Sequence, residues 1–315
     1  MKEKIKKLLF EYSLNSRIST KELGKKIRAS QQSASYLKNQ LTKKRLIQPT
    51  TIVDSVKLGY INVLVAFNFL QPDASVKKEI IEELKQNPDI IEIEEANEGV
   101  DLLVIYSTHN LSAFNKIHTE LVHGNFKKLK TAFVFPIIVS HEFPKNYLIK
   151  NPKNVDIILS GDRVPKDIKE NEEEVLNELI RAPDKKLIDI SDSLKIPVKT
   201  VIKAKKSLEK KFIIKGYTSI LDNNKLKINR QIIFLRFTGE GMKDIDKFSD
   251  FSKFNKNIVQ FTKLIGSSQV FIVVESLNEI NILRDIRANF PIENYLIVKS
   301  EKIHKKQYLP LIEQE

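Results

Sequence analysis

The chain has 315 residues of which 41% are apolar, enough for two or more cores, and no run approaches the ~18 consecutive apolar residues of a membrane span. Cysteine is absent, which excludes disulfides, thiolate nucleophiles and thiolate metal sites. The net charge of +13 sits in two windows, since residues 1–47 hold 13 Lys/Arg against 3 Asp/Glu and residues 172–216 hold 11 against 8, so the rest balances and the excess reads as the footprint of a polyanion.

In chain order, Ile5, Leu8, Leu9 and Tyr12 recur at helical spacing and predict a first amphipathic helix. Its start, Met1-Lys-Glu-Lys-Ile-Lys-Lys7, mixes charge with that spacing and lacks the apolar core of a signal peptide, so a cytoplasmic protein is expected. Ser19-Thr-Lys-Glu22 has the form of a capping box opening a short helix with Leu23 and Ile27 inward. Ser30 caps a third helix whose inner face is Ala34, Leu37 and Leu41, which completes a helix-turn-helix. The β-branched run Ile47 to Val53 follows as the strand of a winged variant.

Beyond it the pattern changes. Strand signals at Val63 to Phe69, Ile90 to Glu95, Leu102 to Tyr106 and Thr131 to Val139 enclose helical stretches at Val76 to Gln86 and Leu111 to Val122. This β-α-β-β-α-β order predicts a ferredoxin-like sheet with both helices on one face. The other face and the edges of such a sheet call for a partner sheet.

The same order returns 167 residues later. Leu9 falls on Leu176, Leu23 on Ile190, Ala34 on Val201, Leu41 on Leu208, Ile47 on Ile214, Phe67 on Phe234 and Gly99 on Gly266. The second set predicts helices at Val175 to Leu179, Asp189 to Leu194 and Val198 to Lys210, then a wing beginning at Ile213. Strands at Ile232 to Phe237, Ile258 to Leu264, Val270 to Val274 and Tyr295 to Val298 follow, with helices at Lys243 to Lys253 and Leu277 to Ala288. The expected fold is therefore α+β, two tandem modules each of a winged helix-turn-helix and a ferredoxin-like domain, read as a tandem duplication. The expected boundaries are 1–55 and 56–145 for the first module, 146–170 for a linker, and 171–220 and 221–315 for the second.

Outward on the first recognition helix lie Gln31, Gln32, Ser33, Ser35, Tyr36 and Asn39, followed by Lys43, Lys44 and Arg45. Amides and hydroxyls can read base edges, and the basic cluster can neutralise phosphates. The second helix offers Lys199, Thr200, Lys203, Lys206 and Lys210, a backbone grip with little base reading. The competing reading is a pair of solvated faces on a protein-interaction module.

Ile18-Ser-Thr-Lys-Glu-Leu-Gly-Lys-Lys-Ile-Arg-Ala-Ser30, Lys57-Leu-Gly-Tyr60, and Pro88-Asp-Ile-Ile-Glu92 through Asn97-Glu-Gly-Val-Asp101 resemble stretches of the Lrp/AsnC (feast/famine) transcription regulators. The resemblance implies duplex DNA as partner, pairing of the sheet domains within the chain or as a homodimer, and a small amino-acid-like effector held near Gly99 and Asp101. A turn glycine with a capping aspartate is the other reading of those two residues. The chain departs from the family at Tyr36-Leu37, where two adjacent arginines are usual, and in the second module at Gly266-Ser-Ser-Gln269, which has no aspartate.

Siroheme decarboxylases share this two-part architecture as paired, non-identical copies, and Leu58-Gly-Tyr-Ile-Asn62 resembles part of their pattern. The histidine expected upstream is missing from Thr50 to Lys57, and the chain has no Trp. His118 and His123 are badly spaced for joint ligation, the five histidines read as surface or helix-end residues, and Glu82-Glu83 and Glu94-Glu95 read as solvated faces. There is no glycine-rich phosphate loop or nucleophile elbow. The sequence thus leads to the expectation of a sequence-specific DNA-binding regulator, not an enzyme, with no cofactor, no metal and no membrane. A siroheme-decarboxylase-like tetrapyrrole enzyme and a winged-helix adaptor remain as alternatives.

Overall fold

Ser19 and Ser30 each accept a hydrogen bond from the backbone N–H three residues on, at 3.2 Å, and open the two helices predicted there. In the computed structural model, which describes residues 1–71 and 73–312, they begin α2 (Thr20–Ile27) and α3 (Gln31–Lys43), behind α1 (Glu3–Leu14). Leu8, Leu9, Leu23, Ile27, Ala34 and Leu41 are buried, as the periodicity requires. The first module continues as β1 (Ile47–Val53), β2 (Ile61–Phe69), α4 (Ala74–Gln86), β3 (Ile90–Glu98), β4 (Leu102–Thr108), α5 (Leu111–Gly124) and β5 (Leu129–Glu142). After β6 (Ile157–Ser160) the second module runs α6 (Glu170–Arg181), α7 (Leu187–Leu194), α8 (Val198–Lys210), β7 (Ile214–Leu221), α9 (Asn223–Leu226), β8 (Asn229–Phe237), α10 (Ile245–Phe254), β9 (Ile258–Leu264), β10 (Val270–Ser276), α11 (Ile282–Asn289) and β11 (Ile292–Lys306). The fold is α+β, two modules of winged helix-turn-helix followed by a βαββαβ domain.

Three readings of local structure need correction. The segment 277–281 is not helical, because Asn281 accepts a hydrogen bond from the Arg284 N–H and starts α11 there. A 3-10 turn, Glu240–Asp244, precedes α10. The last strand is far longer than Tyr295 to Val298, because it finds partners beyond its own sheet.

The chain divides into two compact units by kind of domain. One holds Met1–Tyr60, Asp162–Asp222 and the residues from Lys306; the other holds Ile61–Gly161 and Asn223–Lys305. In the first unit no hairpin wing forms. Instead β1 pairs antiparallel with β7, from Ile47 opposite Leu221 to Val53 opposite Ile214, so each strand saturates the other's edge. Thr51 donates its hydroxyl proton to the Leu179 carbonyl, and Thr218 donates to the Ser13 carbonyl at 2.6 Å, which ties each strand to the other module's first helix. Val175, Leu176, Leu179, Val201, Leu208 and Ile213 form one core with Val53, Tyr60 and Leu309.

In the second unit the strand order β2-β4-β3-β11-β8-β10-β9-β5 closes on itself, because β5 also pairs with β2, while β6 hangs on β5. The long last strands accomplish this. The first half of β5 lies against β2 and its second half against β9, and β11 lies between β8 and β3. Closure removes the free edges that each sheet alone would expose. Leu64, Ala66, Leu103, Phe135, Ile232, Phe234, Phe271, Val273 and Val298, drawn from both modules, fill the interior. The helices cover the outer faces over separate cores, one around Val65, Ile80, Leu84 and Tyr106, the other around Ile233, Phe248, Phe261 and Ile286. Among the described residues no helix is long and apolar enough to cross a membrane.

Candidate functional site

The outward residues of the two third helices are where helical spacing placed them. Gln31, Gln32, Tyr36, Asn39, Lys43, Lys44 and Arg45 on or after α3 are exposed, and Ser33 and Ser35 are half-buried. On α8, Lys199, Lys203, Lys206 and Lys210 are exposed and Thr200 is half-buried. The Tyr36 hydroxyl accepts a hydrogen bond from the Gln40 amide at 2.6 Å.

Gly99 and Asp101 are engaged by the closed sheet. The Asp101 carboxylate accepts from the Phe69 N–H at 2.7 Å, and its backbone N–H donates to the Phe67 carbonyl at 3.0 Å. Gly99 lies at φ +92° with the Ile297 carbonyl of β11 packed where a Cβ would be. The glycine is thus demanded by the close approach of β11, and the aspartate ties the β3–β4 turn to β2.

A cleft of about 690 Å³ lies within the winged-helix unit, lined by Leu14, Asn15 and Arg17 after α1, Leu187 of α7, Lys205 and Glu209 of α8, and Phe212 to Tyr217 leading into β7. Phe212 is 61% exposed and held at φ +56°. The Lys215 ammonium lies 5.3 Å from its ring centre. The Arg17 guanidinium and the Lys205 ammonium lie 5.2 and 5.4 Å from the Tyr217 ring centre. Arg17 donates to the carbonyls of Pro183 and Lys185 at 2.5 and 3.0 Å, which fixes its fork in place. Lys205 pairs with Glu209 at 2.5 Å, and the Tyr217 hydroxyl donates to the same carboxylate at 3.4 Å. Burial, and then the Glu209 charge, push the Tyr217 phenol well above its ordinary value.

Behind Lys215 lies the fully buried carboxylate of Asp54, with Lys215 at 3.8 Å and Arg163 at 3.9 Å. Burial pulls the Lys215 ammonium below the usual lysine value, the fields of Arg163 and Lys57 add to that, and Asp54 opposes them. Two cations, Lys215 and Arg163, thus share one carboxylate, so the Lys215 side of the cleft keeps a net positive charge, a setting that favours an incoming anion.

The closed sheet holds a second charged group. Arg230, at the start of β8, donates from Nε and Nη2 to Glu94 at 2.7 and 3.0 Å and from Nη1 to Glu275 at 2.8 Å. Lys145 and the Tyr147 hydroxyl also donate to Glu275, at 2.6 and 2.7 Å. Burial raises the Glu275 carboxyl, but Lys145 and Arg230 overcome it and bring the group down to about 2. The solvated reading of Glu94-Glu95 is therefore wrong, since Glu94 is buried and Glu95 bonds His304 at 2.7 Å. Nor are the histidines all surface groups. His118 is half-buried with Phe114 stacked on its ring, and His141 pairs with Asp156 at 3.0 Å. Among the described residues no cluster of side chains has the make-up of a metal site.

Sequence reasoning missed the cleft because its walls come from separate segments. The one local signal was Phe212, an apolar residue at the end of a lysine-rich helix where the first module has Arg45.

No protein-family model matches the chain, and no curated protein does. The solved structure of siroheme decarboxylase NirDL is similar over 99% of this chain and 95% of its own, with a TM-score of 0.60 and 12% identity. NirDL in complex with an iron-uroporphyrin III analogue matches over 98% and 94%, with a TM-score of 0.59 and 12% identity. An AsnC family transcriptional regulator from Agrobacterium tumefaciens matches over 42% of this chain and 86% of its own, at 17% identity and a TM-score of 0.35. The expectation of a DNA-binding regulator without catalysis is corrected here: the fold matched over nearly the whole chain, both modules included, is the one seen in siroheme decarboxylase NirDL.

Proposed function

We propose that the chain is an enzyme that binds a siroheme-type tetrapyrrole and removes carboxylate from it as CO2. The observation that carries this reading is the full-length likeness to siroheme decarboxylase NirDL. The cleft supports it on chemical grounds. Such a tetrapyrrole is a flat apolar ring rimmed by carboxylates. Leu14, Leu187 and Phe212 offer apolar surface to the ring, and Arg17, Lys205 and Lys215 offer cations to the rim. Its volume of about 690 Å³ is within the range of small-molecule and cofactor sites.

In the reaction, the bond between a side-chain carbon and its carboxylate breaks. CO2 leaves, and the electron pair left on carbon takes a proton. The cleft wall carries the protic side chains Lys205, Lys215 and Tyr217, and the role falls to Tyr217, which burial keeps protonated and which donates to Glu209. A titration of the intact chain with siroheme under reducing, oxygen-free conditions tests the reading. The absorbance of the macrocycle is expected to shift and saturate; an unperturbed spectrum at high protein concentration counts against it.

A further inference from the structure

We infer that the chain binds a single macrocycle, in the cleft whose aromatic and lysine wall belongs to the second module, and that the equivalent position on the first module is not a site. This rests on the tetrapyrrole reading for the ligand's identity, while the asymmetry itself rests on residues.

The 167-residue correspondence is kept in the backbone. Left-handed conformations recur at Arg28 and Lys195, at Arg45 and Phe212, and at Gly99 and Gly266. The β1–β7 ladder is centred where Thr50 faces Thr218 and Thr51 faces Tyr217, positions related by the same shift. Equivalent places can therefore be compared residue by residue.

The comparison is one-sided. Where the cleft has Arg17, the counterpart has Asp184. Where it has Phe212 and Tyr217, the counterpart has Arg45 and Thr50. Lys215 is answered by Gln48, and Glu209 by Thr42. The lysine that survives, Lys38, lies 4.9 Å above the centre of the Tyr12 ring. Asp184 is near enough to Tyr12 to add to the rise that burial gives its phenol, so the counterpart carries a carboxylate where the cleft carries the Arg17 guanidinium. A flat polyanion meets the exposed Phe212 ring and a set of cations on one side, and on the other a like charge with Arg45 in place of that ring. Lys215 is the anchor this contrast singles out, since it lines the cleft and shares its carboxylate partner, Asp54 at 3.8 Å, with Arg163.

The test is an equilibrium titration of the intact chain with iron-uroporphyrin III, followed by absorbance, beside mellitate, a flat polycarboxylate of benzene, followed by calorimetry. The wild-type chain is expected to saturate at one equivalent. Lys215→Gln should weaken binding by about tenfold or more, since a charge-assisted contact is lost. Phe212→Asn should do the same without threatening the fold, because Phe212 is exposed and asparagine tolerates its left-handed backbone. Gln48→Ala should leave affinity and stoichiometry unchanged. Two equivalents of ligand, or indifference to both cleft substitutions, overturns the inference. If mellitate binds one-to-one with the Lys215 dependence while the porphyrin does not bind, the tetrapyrrole reading falls and the one-sided anion site stands. If neither probe binds, both fall.

Discussion

Replacing Arg230 with methionine is expected to destabilise the chain by about 3–5 kcal/mol, the range found when one partner of a buried ion pair is removed. The guanidinium is enclosed in the closed sheet and bridges Glu94 of one module and Glu275 of the other. Without it, Glu94 loses two charge-assisted hydrogen bonds while it stays buried. Glu275 fares better, since Lys145 and Tyr147 still donate to it. That difference supplies a second arm. The double substitution Arg230→Met with Glu94→Leu removes the stranded charge and should recover more than half of the loss. Urea unfolding midpoints measure both. A single-variant loss under about 1 kcal/mol, the scale of an exposed pair, contradicts the account.

Gly99→Ala is expected to cost at least about 2 kcal/mol, combining backbone strain at φ +92° with a collision against the Ile297 carbonyl. Since β3 and β11 adjoin at this point, the cost falls on the closure of the sheet. Gly59 supplies the comparison. It also has a left-handed φ, of +82°, but a Cβ there meets nothing within 4 Å. Gly59→Ala should therefore show strain alone and cost distinctly less than Gly99→Ala. Equal losses in thermal or urea unfolding mean that the close approach of β11 is not what fixes Gly99.

Much of the fold was legible because it is local. Ser19 and Ser30 announce α2 and α3 through their caps, and the alternation of periods separates the helix-turn-helix from the βαββαβ segments. Partnership was not legible. Ile47 to Val53 reads as a strand from its branched residues, but nothing in those residues says that its neighbour is β7 and not a local hairpin. The last strand reads as ending at Val298, yet β11 runs on to Lys306, and His304 there meets Glu95. Arg230 reads as the charged flank of a strand, because the carboxylate that neutralises it, Glu94, is 136 residues away. The candidate site was the least legible. Its cations looked like part of a phosphate-binding excess, and only the fold gathers Arg17 with Lys205 and Lys215 around Phe212 and Tyr217. The clustering of positive charge calls for an anionic partner, but composition alone does not tell a duplex backbone from a carboxylate-rimmed ring.

The central claim is catalysis on a tetrapyrrole, and product mass tests it most directly. The intact chain, incubated with siroheme under reducing, oxygen-free conditions, should yield a macrocycle lighter by the mass of one or more CO2, with Tyr217→Phe much slower and siroheme still bound. A siroheme of unchanged mass after prolonged incubation with saturated protein would contradict it.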